Sequence, residues 1–431
     1  MAAARSMVVD VVAVGTELLM GETVNTNATW LSQQLVEAGL NVYHHRTVGD
    51  NPARLKAVVQ QALQGADALI FTGGLGPTDD DLTVATLAQC FEAPLVSDAA
   101  SEAAIKAFFI AKGQVHSPSN LKQALRPAQG VAIANPIGTA PGLSWTVMVD
   151  GVAKHLIALP GVPREMKAMW PDALQALQAF AASQGYPCTV LAKTMVHCFG
   201  MGESKIGEIL SDVMAQANPS VAPYVGHSEV RLRVAAQAKT QAQAQAMLVP
   251  VVATIRERLG AVVFGEGESV SVEALIAEAL TRRGQTLSVA ESCTGGYVSH
   301  LLTNVPGSSA YTTLNAVTYS NAQKTALLGV PQALLAQHGA VSEPVAAAMA
   351  QGIQRLSGSQ WALSLTGIAG PEGGSDDKPV GLVWIGLAFP DGRVETRSVQ
   401  VNAKQGREHV KHWFAQYALH GLRDALEAAA L

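Results

Sequence analysis

Residues 290–296 read Ala-Glu-Ser-Cys-Thr-Gly-Gly and join a short apolar run to a helical pattern. The preceding residues 286–289, Thr-Leu-Ser-Val, are typical of a short buried strand, and residues 297–302 resume helical spacing. A hydroxyl at such a strand-to-helix turn lies near the free backbone N–H groups of the helix. These donors suit an oxyanion or a phosphate. The same pattern is also typical of a Ser/Thr helix cap followed by glycines that only shape a loop.

Two potential nucleophiles, Ser292 and Cys293, are adjacent in this turn. A thiolate needs a cation or a helix N-terminus to lower its pKa, and a serine needs a base. Tyr319 and Lys324, at the end of the next predicted strand, are candidates for that base. Burial lets a lysine lose its proton near neutral pH, because desolvation disfavours the charged form. The competing interpretation of Lys324 is an ordinary solvated helix residue.

A second glycine-rich loop, residues 366–374, follows another predicted strand and reads Thr-Gly-Ile-Ala-Gly-Pro-Glu-Gly-Gly. It is similar to a phosphate or ribose loop, with Lys378 available as a point charge and Arg407 as a further one. Alone, such a loop is weak evidence. Together with the turn at 290–296, it indicates a nucleotide-sized ligand whose reactive end faces Ser292.

The whole sequence predicts an α/β fold class with three domains, over residues 1–172, 186–264 and 270–431. The first is a mostly parallel three-layer sheet domain, since apolar runs alternate with amphipathic helices. The second is a small α+β domain of order β-α-β-β-α-β, with helices over 203–217 and 241–259, and residues 265–268, Gly-Glu-Gly-Glu, predict a hinge after it. In the third we predict strands at 286–290, 313–319, 361–366, 380–389 and 393–401 and a closing helix from 408.

The N-terminal domain has its own candidate site at residues 72–83, Thr-Gly-Gly-Leu-Gly-Pro-Thr-Asp-Asp-Asp-Leu-Thr. Glycines after a strand let backbone amides approach a phosphate, and the acidic triplet is suited to a divalent cation that bridges phosphate oxygens. Helix capping explains one aspartate but not three. Loops at 14–19, 25–27, 135–142 and 159–165 are rich in glycine, proline and polar residues, and we expect them to wall the same pocket.

Composition narrows the classes of function. The formal net charge of −5 and the pI near 6.1 give no general attraction to nucleic acid or an anionic membrane. No uncharged apolar run approaches the roughly 18 residues of a membrane span. The four cysteines (Cys90, Cys188, Cys198 and Cys293) form no C-x-x-C pair and no cluster with zinc spacing. We therefore expect a reduced, cytoplasmic protein without direct nucleic-acid or membrane binding.

Taken together, these motifs resemble the competence/damage-inducible CinA family over nearly the full length of the chain. The N-terminal third is similar to the molybdopterin-binding fold, through residues 14–19, 25–27 and 73–83. The C-terminal third is similar to nicotinamide-nucleotide amidohydrolase, through residues 290–296, 318–321 and 367–374. The middle segment fits the small KH-like domain of the family. The resemblance implies a homodimer that acts on small-molecule nucleotides.

The resemblance implies two hydrolytic activities. The C-terminal domain would deamidate nicotinamide mononucleotide to nicotinate mononucleotide and ammonia without a cofactor: Ser292 attacks, Lys324 and Tyr319 handle protons, and amides near residues 294–296 stabilise the oxyanion. The N-terminal domain would hydrolyse ADP-ribose to AMP and ribose 5-phosphate with a divalent metal (Mg, Co or Mn) and potassium, the metal held by Asp80 and Asp81. The implied substrate-binding residues are Thr294, Gly295, Gly296, Thr366, Gly367, Gly370, Gly374, Arg407, Gly73, Gly74, Gly76, Thr78, Asn25 and Asn27.

Two departures from the family pattern concern charge. Asp79 stands where the family often carries Lys, His or Asn, and residues 405–407, Gln-Gly-Arg, replace a Gly-Asp-Arg pattern, with Lys411 in place of a following arginine.

Two other functions compete with the bifunctional hydrolase. One is a binding or transfer protein of molybdenum-cofactor synthesis, which leaves the Ser292 turn without a role. The other is a non-enzymatic partner in competence or DNA repair, which the acidic composition does not directly support.

Overall fold

The computed structural model of the chain describes residues 6–187, 189–226 and 228–429, so Cys188 lies outside the described residues. The chain divides into two compact units. The first comprises Met1–Lys193, Gln216–Ser220 and Ala235–Val251, and the second comprises Thr194–Ala215, Val221–Val234 and Val252–Leu431. The middle segment is thus shared between the units, and the three-domain boundaries stay a prediction. Over the described ranges, no helix combines the length and apolar character needed to cross a lipid bilayer.

The described N-terminal part contains eight strands and six α-helices. The strands are β1 (Val8–Val14), β2 (Asn41–Val48), β3 (Ala68–Thr72), β4 (Leu95–Ser97), β5 (Leu125–Pro127), β6 (Val131–Ile133), β7 (Gly142–Val149) and β8 (Val152–Leu159). The helices are α1 (Thr16–Leu19), α2 (Thr26–Glu37), α3 (Pro52–Leu63), α4 (Thr83–Cys90), α5 (Ala99–Ala111) and α6 (Pro163–Ser183). The main sheet has the order β2-β1-β3-β8-β7-β6, and β4 pairs with β5 separately.

Strand β1 is central to this sheet and buried at every position. It runs parallel to β2 and β3, and β3 runs parallel to β8, whereas β7 and β6 are antiparallel. Helices cover both faces: Leu31 of α2 packs in the core on one side, and Leu55 and Val59 of α3 pack on the other. The expected mostly parallel three-layer domain is confirmed.

The middle segment has the predicted β-α-β-β-α-β order. Its elements are β9 (Val190–Cys198), α7 (Glu203–Ile209), α8 (Ser211–Met214), β10 (Ser220–Val225), β11 (Val230–Ala238), α9 (Gln241–Leu259) and β12 (Val263–Glu266), with sheet order β10-β11-β9-β12. The single helix expected over 203–217 is wrong. Leu210, with φ −106° and ψ 15°, interrupts it, and the two short helices bury Ile206 and Val213 on either side of that fully buried leucine.

Residues 265–268, expected to form a hinge, include the end of a strand and the two residues that follow it, and the hinge itself stays a prediction. Gly265 and Glu266 belong to β12, which pairs antiparallel with β9. Gly267 follows with φ 125°, a conformation that glycine adopts readily. The ring of His197 in β9 lies beside this point: its Nδ1 is 3.0 Å from Glu229 Oε2, and its Nε2 is 2.9 Å from the Gly267 carbonyl oxygen. The hydrogen bond to Glu229 raises the pKa of His197.

Over its described residues, the C-terminal part contains five strands and six α-helices. The strands are β13 (Leu287–Glu291), β14 (Thr312–Val317), β15 (Trp361–Gly367), β16 (Leu382–Ala388) and β17 (Val394–Gln400). The helices are α10 (Val272–Arg283), α11 (Tyr297–Thr303), α12 (Asn321–Leu328), α13 (Gln332–His338), α14 (Glu343–Ser357) and α15 (Arg407–Ala428). The sheet order is β14-β13-β15-β16-β17, and the predicted strands match these five within a few residues.

Strand β13 lies between two parallel neighbours, with Glu291 opposite Val317 of β14 and opposite Leu365 of β15. Its residues alternate between two cores. Val289 packs in the core formed with α10, α11 and α15, and Ala290 packs in the core formed with α14. Because the three parallel strands end at one edge, the segments that follow them meet there.

Helix α14 packs closely on α12, the helix that carries Lys324. The contact is at Gly352, where an added Cβ atom would lie 2.1 Å from the Leu328 carbonyl oxygen. Since a backbone oxygen at that distance has to move, glycine is required for the two helices to approach this closely. This contact helps to fix the position of α12 against the sheet.

We predict that Gly352→Ala lowers the free energy of unfolding by about 1–3 kcal/mol, because overpacking at a backbone contact outweighs the better helix propensity of alanine. Chemical denaturation measures the effect. Gly207→Ala in α7 is the matched control, since nothing lies within 4 Å of its added Cβ atom. We expect no loss of stability in the control. Equal stability of the Gly352→Ala variant and the parent would contradict the packing argument.

Candidate functional site

The turn at residues 292–296 projects from the carboxyl end of the central strand β13. The Ser292 amide donates to the Leu365 carbonyl oxygen of β15 at 3.0 Å, which holds the turn against the next strand. Gly295 and Gly296 have φ of 64° and 95°, values that favour glycine. Ser292 is 9% exposed, so most of this residue is shielded from solvent.

Glu291, the last residue of β13, is fully buried and fastens this turn to α11. Its carboxylate accepts hydrogen bonds from the amides of Gly296, Val298 and Ser299 at 3.0, 3.1 and 2.8 Å, and from the Ser299 hydroxyl. The 290–296 motif contains Glu291, but the sequence alone indicates no function for it. The signal that could have identified it is a carboxylate placed directly before the N-terminus of a helix.

The Glu291 contacts revise the expected set of oxyanion donors. The Gly296 amide already donates to Glu291, and the Gly295 amide donates to the Ser292 carbonyl oxygen at 3.2 Å. In the described part of the chain, the amides of Cys293 and Thr294 donate to no oxygen, and both interact with the Cys293 sulfur. The Gly295 and Gly296 amides are thus engaged, whereas the Thr294 amide stays a candidate oxyanion donor, with the Cys293 amide beside it.

Lys324 meets Ser292 directly. Its Nζ lies 2.9 Å from Ser292 Oγ, 2.9 Å from the Thr318 carbonyl oxygen and 3.3 Å from the Tyr319 carbonyl oxygen. The side chain is 1% exposed, so the solvated-helix interpretation is wrong. Burial lowers the pKa of the Lys324 amine, because the charged ammonium loses hydration. The arrangement provides a serine hydroxyl with a buried amine at hydrogen-bond distance.

Cys293 has a different environment from the serine beside it. Its thiol is 5% exposed and packs in the core with α10, α11 and α15. Burial raises the pKa of the Cys293 thiol to about 12. A thiol with that pKa carries almost no thiolate near neutral pH, so Cys293 is a poor nucleophile here.

Tyr319 joins the site through its backbone more than through its ring. Its hydroxyl is 2.9 Å from a terminal nitrogen of Arg407, and its side chain is 62% exposed. Arg407 also donates to the Gly370 carbonyl oxygen at 2.5 Å. The guanidinium thus connects the segment after β14 with the glycine loop after β15. The Tyr319 phenol has no hydrogen bond to Ser292 or Lys324 among the described residues, and its role in proton transfer stays a prediction.

The glycine loop after β15 packs closely against neighbouring backbone at two of its glycines. An added Cβ atom at Gly367 would lie 2.6 Å from the Leu382 carbonyl oxygen, and one at Gly374 would lie 2.9 Å from the Val380 amide nitrogen. The Thr366 hydroxyl is buried and donates to the Ala340 carbonyl oxygen. Lys378, expected as a free charge, donates to the His338 carbonyl oxygen at 2.6 Å. The backbone of this loop, rather than the Thr366 or Lys378 side chain, is available to a ligand.

The N-terminal loops also converge. Gly73 has φ 106°, and an added Cβ atom there would lie 2.1 Å from the Val14 carbonyl oxygen. Asn27 Nδ2 donates to Thr72 Oγ1 at 2.9 Å and to the Gly161 carbonyl oxygen at 2.8 Å, which links three of the predicted loops. Asn25, by contrast, caps α2 by accepting from the Ala28 amide. Gly74 and Gly76 line a small cavity with Asp81 and Lys122.

The acidic triplet does not form a complete metal site by itself. Asp81 accepts from the Thr78 amide at 2.9 Å and from the Thr78 hydroxyl, so its carboxylate orders the loop. Asp80 is exposed. Over the described residues, no three His, Cys, Asp or Glu side chains come together as metal ligands. Two carboxylates suit a cation that also binds substrate phosphate oxygens, and Asp80 and Asp81 fit a metal only in that form.

Comparison with known proteins agrees with this arrangement. Residues 10–179 match the family model described as "Probable molybdopterin binding domain", residues 193–265 match "Damage-inducible protein CinA KH domain", and residues 269–426 match "CinA C-terminal domain". These matches cover the three parts of the fold in chain order.

Relatives of the full chain carry one name. The chain is 42% identical to a CinA-like protein of Nostoc punctiforme over 97% of its length and 99% of the relative's. It is 41% identical to a CinA-like protein of Synechocystis sp. over 98% of its length and 100% of the relative's. A solved competence damage-inducible protein A from Klebsiella pneumoniae is 37% identical over 36% of this chain and 95% of that one, with a TM-score of 0.35. By these matches over nearly its whole length, the chain belongs to the CinA family.

Proposed function

We propose that the C-terminal domain is an amidase that hydrolyses the carboxamide of nicotinamide mononucleotide. The observation that carries this proposal is the 2.9 Å contact between Lys324 Nζ and Ser292 Oγ in a buried site. Family membership supports the substrate class. The glycine loop at 366–374, which lies at the same sheet edge, supports a ligand larger than a free amide. Serine activated by a neighbouring base is a common design for acyl transfer.

The proposed chemistry uses groups that the site already holds. Neutral Lys324 takes the Ser292 proton as Oγ attacks the carboxamide carbon, and the amides of Cys293 and Thr294 stabilise the oxyanion. Lys324 then protonates the departing nitrogen, which leaves as ammonia. Water attacks the acyl-enzyme with Lys324 as base, and Lys324 returns this proton to Ser292 Oγ as the bond between the acyl carbon and Oγ breaks. The carboxylic acid product then loses its own proton to solvent.

We predict that Ser292→Ala abolishes ammonia release from nicotinamide mononucleotide and that Cys293→Ala keeps most of it, since the buried thiol carries little thiolate. A coupled ammonia assay on purified proteins measures both variants. Thermal melting of each variant serves as the control for folding. The opposite pattern, with activity lost only in Cys293→Ala, would move the nucleophile to the cysteine.

A separate prediction concerns pH. The base form of Lys324 is the neutral amine, so kcat/KM should rise with pH through the lowered pKa of Lys324 and then level off. Lys324→Arg keeps a cation that does not lose its proton and should reduce kcat by about 10²-fold or more. Measurement of kcat/KM against pH tests the assignment. A rate that falls as pH rises through this range would assign the base to another group.

We further propose that the N-terminal domain hydrolyses ADP-ribose with a divalent metal. The specific observation in favour is Asn27 Oδ1, a buried acceptor without a hydrogen-bond partner among the described residues, at the point where the loops converge. A ribose hydroxyl is a donor of the right kind for it. Asp80 and Asp81 would hold the metal, which would supply charge stabilisation to the diphosphate.

ADP-ribose hydrolysis should require added Mg²⁺, Co²⁺ or Mn²⁺ and should be lost when Asp80 and Asp81 are both changed to Asn. Detection of AMP by chromatography measures it. Asp79→Asn is the matched control, because this exposed neighbour is not among the proposed ligands. Thr78→Val tests whether loss of loop order alone stops the reaction. Metal-dependent hydrolysis that survives in the double variant would overturn the ligand assignment.

A further inference from the structure

A cavity of about 380 Å³ lies on the far side of the C-terminal domain from the Ser292 turn. It is bounded by β15, β16, β17 and the last turns of α15. Near it, Leu363 belongs to the amino end of β15, whereas the glycine loop follows the carboxyl end of the same strand. No residue of the proposed amidase site lines this cavity. Its apolar floor consists of Leu363, Ile385, Leu387, Phe389 and Leu422.

The charged groups at the cavity are paired with one exception. Arg393 contacts Glu395, and its guanidinium stacks on the Phe389 ring at 3.7 Å. Asp424 contacts Arg423. Arg397, an exposed residue, also lines the cavity. Within the described residues its guanidinium makes no direct hydrogen bond or ion pair, although the Asp424 carboxylate of the same cavity interacts with it electrostatically. The cavity therefore combines an apolar floor with one cation whose N–H groups are free for a ligand.

The position of Arg397 is set by the helix opposite. An added Cβ atom at Gly421 of α15 would lie 2.5 Å from a terminal nitrogen of Arg397. The guanidinium therefore occupies the space above Gly421 that a side chain would fill. A planar guanidinium can make two parallel hydrogen bonds to one carboxylate.

We propose that this cavity binds a small monocarboxylate with an apolar body, such as a medium-chain aliphatic acid. The carboxylate pairs with Arg397, and the chain lies on the floor formed by β15, β16 and α15. A cavity of this size is within the range of small-ligand sites. One unpaired cation matches one negative charge, and the apolar floor gives favourable burial to the hydrocarbon. The proposal is independent of the amidase activity.

Calorimetric titration of the full chain with octanoate tests the proposal, with octan-1-ol and octylamine as probes of equal length and different charge. We expect octanoate to bind more tightly than both. Arg397→Met should weaken octanoate binding by about ten-fold or more, the usual effect of removing a charge-assisted hydrogen-bond pair. Ala425→Phe, which fills the cavity from α15, should also weaken it without removing any charge.

Arg282→Met, an exposed cation of α10 outside the cavity, is the matched control and should bind octanoate as the parent does. Equal affinity for octanoate and octan-1-ol would overturn the proposal, since the charge would then play no part. So would unchanged octanoate binding in both Arg397→Met and Ala425→Phe. Absence of octanoate binding to the parent chain would overturn it as well.

Discussion

The parallel pairing of β13 with β14 on one side and β15 on the other is the constraint on which the C-terminal domain depends. Parallel strands end at the same edge, so the segments that follow them are neighbours although they are far apart in sequence. Ser292, Thr318 and the loop from Gly367 meet for this reason. The N-terminal domain has the same arrangement of parallel strands. Its strand β1 lies between β2 and β3, and the loop after β3 approaches the end of β1 at Gly73 and Val14.

Burial acts in opposite directions on the two candidate catalytic groups beside Ser292. It raises the pKa of the Cys293 thiol, because the thiolate loses hydration, and it lowers the pKa of the Lys324 amine, because the ammonium loses hydration. In both cases the neutral form is favoured. A neutral thiol is unreactive, whereas a neutral amine is a base. The same dry environment therefore disfavours the cysteine and favours the serine with its lysine.

Much of this arrangement could be predicted from local pattern. The strand before Ser292 and the glycine turn after it follow from spacing, and the five strands of the C-terminal sheet follow from apolar runs. The burial of Lys324 could not be predicted, since its helix has polar neighbours and the contacts of Nζ with Ser292, Thr318 and Tyr319 depend on the tertiary fold. Nor could the partners of Glu291 or the unpaired state of Arg397, because each depends on which backbone groups the fold brings near. The sequence presents Asp81 as a free metal ligand, whereas in the fold its carboxylate accepts hydrogen bonds from Thr78.

The ring of His197 has a consequence for the protein in solution. Both of its nitrogens face acceptors, the Glu229 carboxylate and a backbone carbonyl, and satisfying both requires the doubly protonated imidazolium. Cys198 and Arg231 lie nearby, and Arg231 opposes the raised pKa. A histidine with a raised folded-state pKa contributes stability that is fully present below its unfolded value near 6.5 and is lost as the pH rises through the folded one. The contact of His197 in β9 with Gly267 therefore stabilises the fold in mild acid, and this stabilisation decreases toward alkaline pH.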